Sequence, residues 1–229
     1  MTSQTANIGA VSARDAYQQG RFEEAFRIWE AAAMADDTEA QCWLGSLYAN
    51  GEGVPVDDRR ALQWYLAAAR QGNHMAQANV GAFYYMGRGV SRDLAAAVAW
   101  LSAAAEGMDL NGLFNLAVLY SQGEGVPRNE ERALALYWQA AERGHYPSQS
   151  RLGYAYAQGK GVEKDRVQAY LWLALAAQHG IGTALDALEG VTREMSKEEK
   201  AEGARLYEQW RRRTGADRGP SALYPIPAT

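Results

Sequence analysis

The sequence predicts an all-α protein built of stacked helix-turn-helix repeats. The first observation is the string GEGVPVDDRRALQWYLAAARQG at residues 51–72, which returns in modified form from residues 87, 123 and 159. The second is the constant period of 36 residues between these copies, which is typical of a repeat array. The third is that small and apolar residues recur within each copy at helical spacing.

Each repeat is predicted to contain two helices, called helix A and helix B. In the first repeat, helix A carries Ala40, Leu44 and Tyr48 at intervals of four residues, which places them on one helical face. Helix B carries Ala61 and Ala68 on a comparable stripe. The position of Ala40 stays small in the later repeats, which allows neighbouring helices to approach closely: Ala76, Gly112 and Ser148.

A turn of constant composition separates the two helices. Paired glycines such as Gly87 and Gly89 can adopt positive φ and end helix A without steric cost. An Asp or Asn then follows, where its side chain can accept hydrogen bonds from the first free amides of helix B. These predicted N-caps are Asp57, Asp93, Asn129 and Asp165. Between repeats, Met108 replaces a glycine found in the other links, so we expect that link to differ.

The columns of the repeat form the pattern A-x3-L-G-x2-Y-x2-G-x-G-V-x2-D-x3-A-x2-W-Y-x2-AA-x2-G, which runs without interruption from Ala40 to Gly72. This pattern resembles the Sel-one-like repeat family, a relative of the tetratricopeptide repeat. The resemblance covers residues 38–181 and implies a right-handed α-solenoid that binds other proteins, often as a bacterial adaptor. Some secreted relatives pin each helix pair with a disulfide, which this chain cannot form because Cys42 is its single cysteine.

The repeat positions divide the chain into five segments. Four Sel-one-like repeats occupy residues 38–181, and residues 15–37 resemble a tetratricopeptide-like half-repeat. Residues 182–213 are predicted to form C-terminal capping helices that cover the apolar last helix B. Residues 1–14 are predicted to be a flexible N-terminus, and residues 214–229 a mobile tail.

The final helix is predicted to start at Ser196, with Glu199 three residues later completing a capping box. Ala204, Tyr207 and Trp210 follow at helical spacing and are expected to dock onto the last repeat. This docking closes the exposed apolar end of the array.

The composition indicates a folded protein without a strongly charged surface. Hydrophobic residues make up 48% of the 229 residues, enough for a substantial core. The net charge of −4, with both signs interspersed, argues against nucleic-acid binding. The longest apolar run, Ala169–Ala177, is far shorter than the roughly 20 residues that cross a bilayer, and the N-terminus shows no signal-peptide pattern. We therefore expect a cytoplasmic protein with no membrane insertion.

No catalytic, metal or cofactor site is predicted, and we expect that the protein is not an enzyme. The G-x-G-V motif follows a helix, whereas a dinucleotide-binding fingerprint follows a strand. The histidines fall in separate turns, too far apart to share a metal, and a polar turn explains each of them: His74, His145 and His179. The alternative is a cell-wall-related or β-lactam hydrolase, as suggested for some relatives, although the sequence lacks the S-x-x-K and K-T-G elements of that chemistry.

The predicted function is a protein-interaction scaffold or adaptor that binds an extended segment of a partner in a concave groove lined by helix A. Aromatic side chains are typical of binding surfaces, amides can hold a peptide backbone, and Arg151 can pair with a carboxylate. Ordinary contacts between helices, or binding through the outer face of helix B, are the alternatives. The candidate contacts are Trp43, Asn79, Tyr85, Phe114, Asn115, Arg151 and Tyr154. The expected partner is a protein or peptide, and the chain is expected to be a monomer or a weak homodimer.

Overall fold

The computed structural model describes residues 13–214, which contain helices and no strands. The predicted all-α class and the repeated helix pairs are confirmed. Predictions for residues 1–12 and 215–229 lie outside the described residues, while Ala13 and Arg14 already belong to a helix. The helices are α1 (13–18), α2 (Phe22–Met34), α3 (Thr38–Asn50), α4 (Asp58–Arg70), α5 (His74–Met86), α6 (Leu94–Glu106), α7 (Leu110–Gln122), α8 (Glu130–Ala141), α9 (Tyr146–Gln158), α10 (Arg166–Gln178), α11 (Gly182–Glu194) and α12 (Lys197–Thr214).

Helices A of the four repeats are α3, α5, α7 and α9, and helices B are α4, α6, α8 and α10. The predicted N-caps of helix B are confirmed, since each side chain accepts a hydrogen bond from a backbone amide in the first turn. The backbone amide of each cap also donates to the carbonyl of a tyrosine near the end of helix A. These bonds join Asp57 to Tyr48, Asp93 to Tyr84, Asn129 to Tyr120 and Asp165 to Tyr156, at 2.8–3.0 Å.

Both glycines of every turn have positive φ, between 66° and 76°. At Gly89 the close approach of another helix adds a second requirement for glycine. A Cβ at this position would overlap the backbone carbonyl of Asp58, at the start of helix B of the preceding repeat. The turn therefore ends one helix and also packs against its neighbour.

The link that contains Met108 keeps the backbone of the other links, so the expected difference is wrong. Met108 has a φ of 61°, a left-handed conformation that costs a side-chain-bearing residue about 1–2 kcal/mol. The preceding Gly107 leaves room for the ring of His74, which a Cβ would overlap. The glycines of the same column have φ values of 86°, 84° and 81° at Gly72, Gly144 and Gly180.

The chain forms two compact units, whose described residues are 13–112 and 113–214. Each unit has its own core of buried alanine, leucine and aromatic side chains. The alanine column of helix B has no exposed surface in either unit: Ala61, Ala97, Ala133 and Ala169.

A buried glutamine joins helix A to the last turn of the preceding helix in three repeats. The carbonyls at the end of a helix lack an intrahelical donor, and the glutamine amide satisfies one of them. Leu113 stands in the same column of repeat 3 and has no such donor. The bonds run from Nε2 of Gln41 to Ala33 (3.5 Å), of Gln77 to Ala69 (3.2 Å) and of Gln149 to Ala141 (3.1 Å).

The two C-terminal helices, α11 and α12, both contact the last helix B, α10. Helix α10 packs against α9, α11 and α12, which explains why it is apolar nearly all round. The predicted capping box is confirmed, because the Ser196 amide donates to Glu199 Oε2 at 2.7 Å and the Glu199 amide donates to Ser196 Oγ at 3.1 Å.

The docking face of α12 differs from the predicted face at one position. Trp210 is buried and Tyr207 packs against the core of the second unit, as expected. Ala204, however, is exposed, and Gly203 is buried in its place. A Cβ at Gly203 would lie 2.7 Å from the ring of Tyr170, so only glycine allows this approach.

Candidate functional site

Trp43 lies in the core of the first unit and is 4% exposed. Its ring stacks on Trp29 of α2 with the centroids 4.7 Å apart, and Tyr17 of α1 packs against it at 5.3 Å. The indole nitrogen donates to Glu39 at 3.4 Å. The N-terminal helices therefore cover this ring, and it offers no accessible contact surface in this structure.

Asn79 occupies the same column one repeat later and is also buried, at 5% exposure. Its Nδ2 has no hydrogen-bond partner in the described part of the chain. Tyr85, at the end of the same helix, is half-buried. The guanidinium of Arg92 lies 5.3 Å from the Tyr85 ring centre, and Arg92 Nε donates to the Tyr85 carbonyl at 3.0 Å. In the first unit Trp43 and Asn79 are thus buried, and Tyr85 is in contact with Arg92.

In the second unit, the Phe114 side chain of α7 contacts α8 of the same repeat and the start of the next repeat. It is partly buried, with its ring 5.6 Å from Tyr137 of α8 and 5.3 Å from His145. His145 stands in the N-cap column of helix A, where Asp37, Asn73 and Asp109 each accept a hydrogen bond from a backbone amide. Its imidazole does not cap α9 in this way, and Nδ1 lies 2.8 Å from Ser148 Oγ.

His145 continues into a row of rings that reaches the surface. The Tyr146 ring lies 6.3 Å from His145 and 5.2 Å from His179, nearly parallel to both. Tyr146 is 41% exposed, and His179 is exposed. Burial lowers the pKa of His145 from 6.5 to about 4, so this ring is neutral at neutral pH.

The sequence interpretation treated these histidines as polar turn residues and missed the row. His145 is largely buried, so a polar turn does not describe its surroundings. A signal was present in the sequence, because His145 interrupts a column of Asp and Asn residues. A residue that is neither Asp nor Asn at a capping position indicates that its side chain has a role other than capping the helix.

Asn115 and Arg151 occupy the column of Trp43 and Asn79 in repeats 3 and 4. Asn115 is half-buried and Arg151 is exposed. Arg151 forms no ion pair with any residue of the described chain. Burial raises the pKa of Tyr137, and the positive charge of Arg151 reduces this rise.

Tyr154, one turn after Arg151, is half-buried and fixed to the next helix pair. Its hydroxyl donates to the carbonyl of Thr183 at 2.6 Å, and its ring packs against the core between α9, α10 and α11. Tyr154 can therefore offer one edge of its ring to a partner, while its hydroxyl is already engaged.

The described residues contain no metal-binding cluster, and the single cysteine of the chain is buried. In residues 13–214 no cluster of three or more His, Cys, Asp or Glu side chains has the arrangement of a metal site. Cys42 is buried, and burial raises the pKa of its thiol to about 12, which opposes formation of a thiolate nucleophile. No helix in this range combines the length and apolarity that a membrane span requires.

Solved structures of repeat proteins resemble this fold. Protein c5321, a protective antigen of uropathogenic Escherichia coli strains with an SLR fold, is 27% identical with a TM-score of 0.78. The match covers 97% of this chain and 52% of c5321, so this chain spans about half the length of that protein. A Sel1 repeat protein from Oxalobacter formigenes is 29% identical with a TM-score of 0.75, over 93% of this chain and 88% of that one.

A third structure shows similarity of fold alone. The immunity protein Pa5087 from Pseudomonas aeruginosa is 18% identical with a TM-score of 0.58, over 94% of this chain and 90% of that one. None of the curated proteins compared with the sequence matches it significantly.

The family comparison agrees with the repeats seen in the structure. The Sel1 repeat matches four consecutive segments, which together cover more than half of the chain: residues 38–73, 74–107, 110–145 and 147–181. Proteins with this repeat generally mediate protein–protein interactions and are typically scaffolds without enzymatic activity. The chain belongs to the Sel1 repeat family.

Proposed function

We propose that this protein is a protein-interaction scaffold that binds an extended segment of a partner protein on helices A of repeats 3 and 4. The observation that carries the proposal is the accessibility of one column. In the second unit, Asn115 and Arg151 lie on successive helices A and reach solvent, whereas Trp43 and Asn79 of the first unit are buried.

The residue types in this part of the second unit are those of binding surfaces. Phe114, Tyr154 and Tyr146 supply partly exposed rings, which are enriched in protein interfaces together with arginine. The Asn115 amide can donate to and accept from the backbone of an extended chain. Ring, amide and guanidinium groups together support recognition of a peptide segment.

The spacing of the helices sets the length of the bound segment. Neighbouring packed helices lie about 8–10 Å apart, and an extended peptide rises about 3.3 Å per residue. Each helix A then faces some three residues of the partner. Two helices A contact about six residues, which is enough for a short linear motif.

A photo-crosslinking experiment tests the location of the binding surface. A benzophenone amino acid replaces Asn115 in one variant and Ala135, an exposed residue of helix B in the same repeat, in a matched control. We expect position 115 to crosslink reproducibly to one protein of the host cell, and position 135 to give few crosslinks. The crosslinks are mapped by mass spectrometry to a segment of the captured protein.

Specificity is established with the captured segment as a synthetic peptide. The peptide should bind the unmodified chain, and Asn115→Ala should weaken it by a hydrogen-bond contribution on the order of 1 kcal/mol, about fivefold. Crosslinks from position 135 alone, with affinity unaffected by Asn115→Ala, would assign binding to the outer face of helix B.

The hydrolase alternative finds no support in the molecule. No serine in the sequence is followed three residues later by lysine. The thiol of Cys42 is buried, and Ser148, whose Oγ lies 2.8 Å from His145 Nδ1, is fully buried as well, so neither side chain is accessible to a substrate.

A further inference from the structure

Within the second unit, helices A of repeats 3 and 4 contain a single charged side chain. The part of α7 within this unit, residues 113–122, contains no charged side chain, and α9 contains only Arg151. Arg151 is exposed and forms no ion pair with any described residue. The Arg151 guanidinium is therefore available to pair with a carboxylate of a partner.

The surroundings of Arg151 favour recognition over simple solvation. Phe114, on helix A of repeat 3, contacts His145 at the N-cap of α9, the helix that carries Arg151. From His145 the rings continue to Tyr146, which is 41% exposed. An exposed ring and an exposed guanidinium thus lie on the same helix, and both types of side chain are enriched in protein interfaces.

The number of charges selects the class of anion. Phosphate-recognition sites use clusters of cations, because a phosphate group carries about −1.5 to −2 charge at neutral pH. A nucleic acid needs several cations along its backbone. One guanidinium matches the single charge of a carboxylate, and its planar donors fit the two oxygens in bidentate geometry.

We propose that the partner segment carries an Asp or Glu side chain that pairs with Arg151, next to a ring or aliphatic side chain that packs on Phe114 and Tyr146. The proposal rests on the proposed function, since it names the chemistry of the segment that the same helices bind. The bound ligand is therefore an acidic–hydrophobic linear motif of another protein.

Peptide selection on the purified full chain tests this chemistry. A phage library of random 12-residue peptides is selected, and the best binder is synthesised with a fluorescent label. A second peptide replaces its Asp and Glu residues by Asn and Gln. We expect enrichment of acidic residues beside apolar ones, and affinity about tenfold or more lower for the neutral peptide, measured by fluorescence anisotropy.

Three protein variants assign the effect to one residue. Arg151→Gln should lower affinity for the acidic peptide about tenfold and leave affinity for the neutral peptide unchanged. Arg59→Gln is the matched control, because Arg59 is also exposed, forms no ion pair in the described chain and lies on helix B of repeat 1. Arg151→Glu should reverse the preference, so that a version of the peptide with Lys at the acidic position binds better than the original.

The outcomes separate this inference from the proposed function. If the selected peptides bind but Arg151→Gln behaves like Arg59→Gln, the acidic motif is wrong while peptide binding stands. If no peptide binds the folded chain, peptide binding at this surface is wrong and the acidic motif fails with it. Far-ultraviolet circular dichroism confirms that each variant retains the helical fold.

Discussion

The helix A position that Trp43 occupies in repeat 1 is buried in repeats 1 and 2 and accessible to solvent in repeats 3 and 4. In the first pair, Trp43 and Asn79 are 4% and 5% exposed, and the rings of α1 and α2 cover Trp43. In the second pair, Asn115 is half-buried and Arg151 is exposed. A repeat column therefore fixes the position of a side chain on its own helix, while other helices decide whether that side chain belongs to the core or to the surface.

Removing the ring of Trp43 should have the largest effect on stability. Trp43→Ala leaves a cavity beside Trp29 and Tyr17 and should lower the free energy of unfolding by about 3–5 kcal/mol. Trp138→Ala removes a tryptophan that is 50% exposed and should cost less than about 1 kcal/mol. Urea denaturation followed by circular dichroism measures both. Equal losses would mean that the stacked rings of the first unit do not contribute to its core.

Acid should destabilise the second unit through His145. The buried ring has a pKa of about 4, below its ordinary 6.5, so the unfolded chain binds more protons between these values. Stability should therefore fall as the pH drops from 6.5 to 4, by a total on the order of 3 kcal/mol. Position 73 of the first unit carries Asn in this column and makes no such contribution.

The variant His145→Asn tests the origin of this acid sensitivity. It should flatten the dependence of unfolding free energy on pH in that window, and the new side chain can cap α9 as Asn73 caps α5. His179→Asn, at an exposed histidine, should leave the dependence in place. An unchanged slope in His145→Asn would assign the sensitivity to other groups.

Alanine at two glycines separates conformational strain from close packing. Gly89 and Gly144 have φ values of 66° and 84°, so alanine at either position should cost about 1–2 kcal/mol. Gly89→Ala should cost more than this, because its Cβ would overlap the Asp58 carbonyl, while a Cβ at Gly144 meets no atom within 4 Å. Thermal unfolding of the two variants should therefore give a lower Tm for Gly89→Ala, and equal values would contradict the packing role of the turn.

Met108→Gly should have the smallest effect and the opposite sign. Glycine relieves the strain at a φ of 61°, and the greater freedom of glycine in the unfolded chain offsets part of the gain. The net stabilisation should be up to about 1 kcal/mol, or roughly 2–4 °C in Tm for a chain of this size. Gly144→Met, the reverse change in the second unit, should lower Tm.

The sequence alone determined the repeat period, the helix pairs, the caps Asp57, Asp93, Asn129 and Asp165, and the capping box of Ser196 and Glu199. These features depend on interactions within a few residues along the chain. Backbone amides need local acceptors, and a positive φ favours glycine wherever it occurs. Such rules can be read from the order of residues.

Tertiary structure decided which surfaces remain accessible. Trp43 is covered by rings of α1 and α2, and Gly203 replaces Ala204 at the docking face of α12 because of the distant Tyr170. The row of His145, Tyr146 and His179 likewise joins residues from separate turns. Burial depends on which elements pack together from far apart in the chain, and helical periodicity specifies only the face that each helix presents.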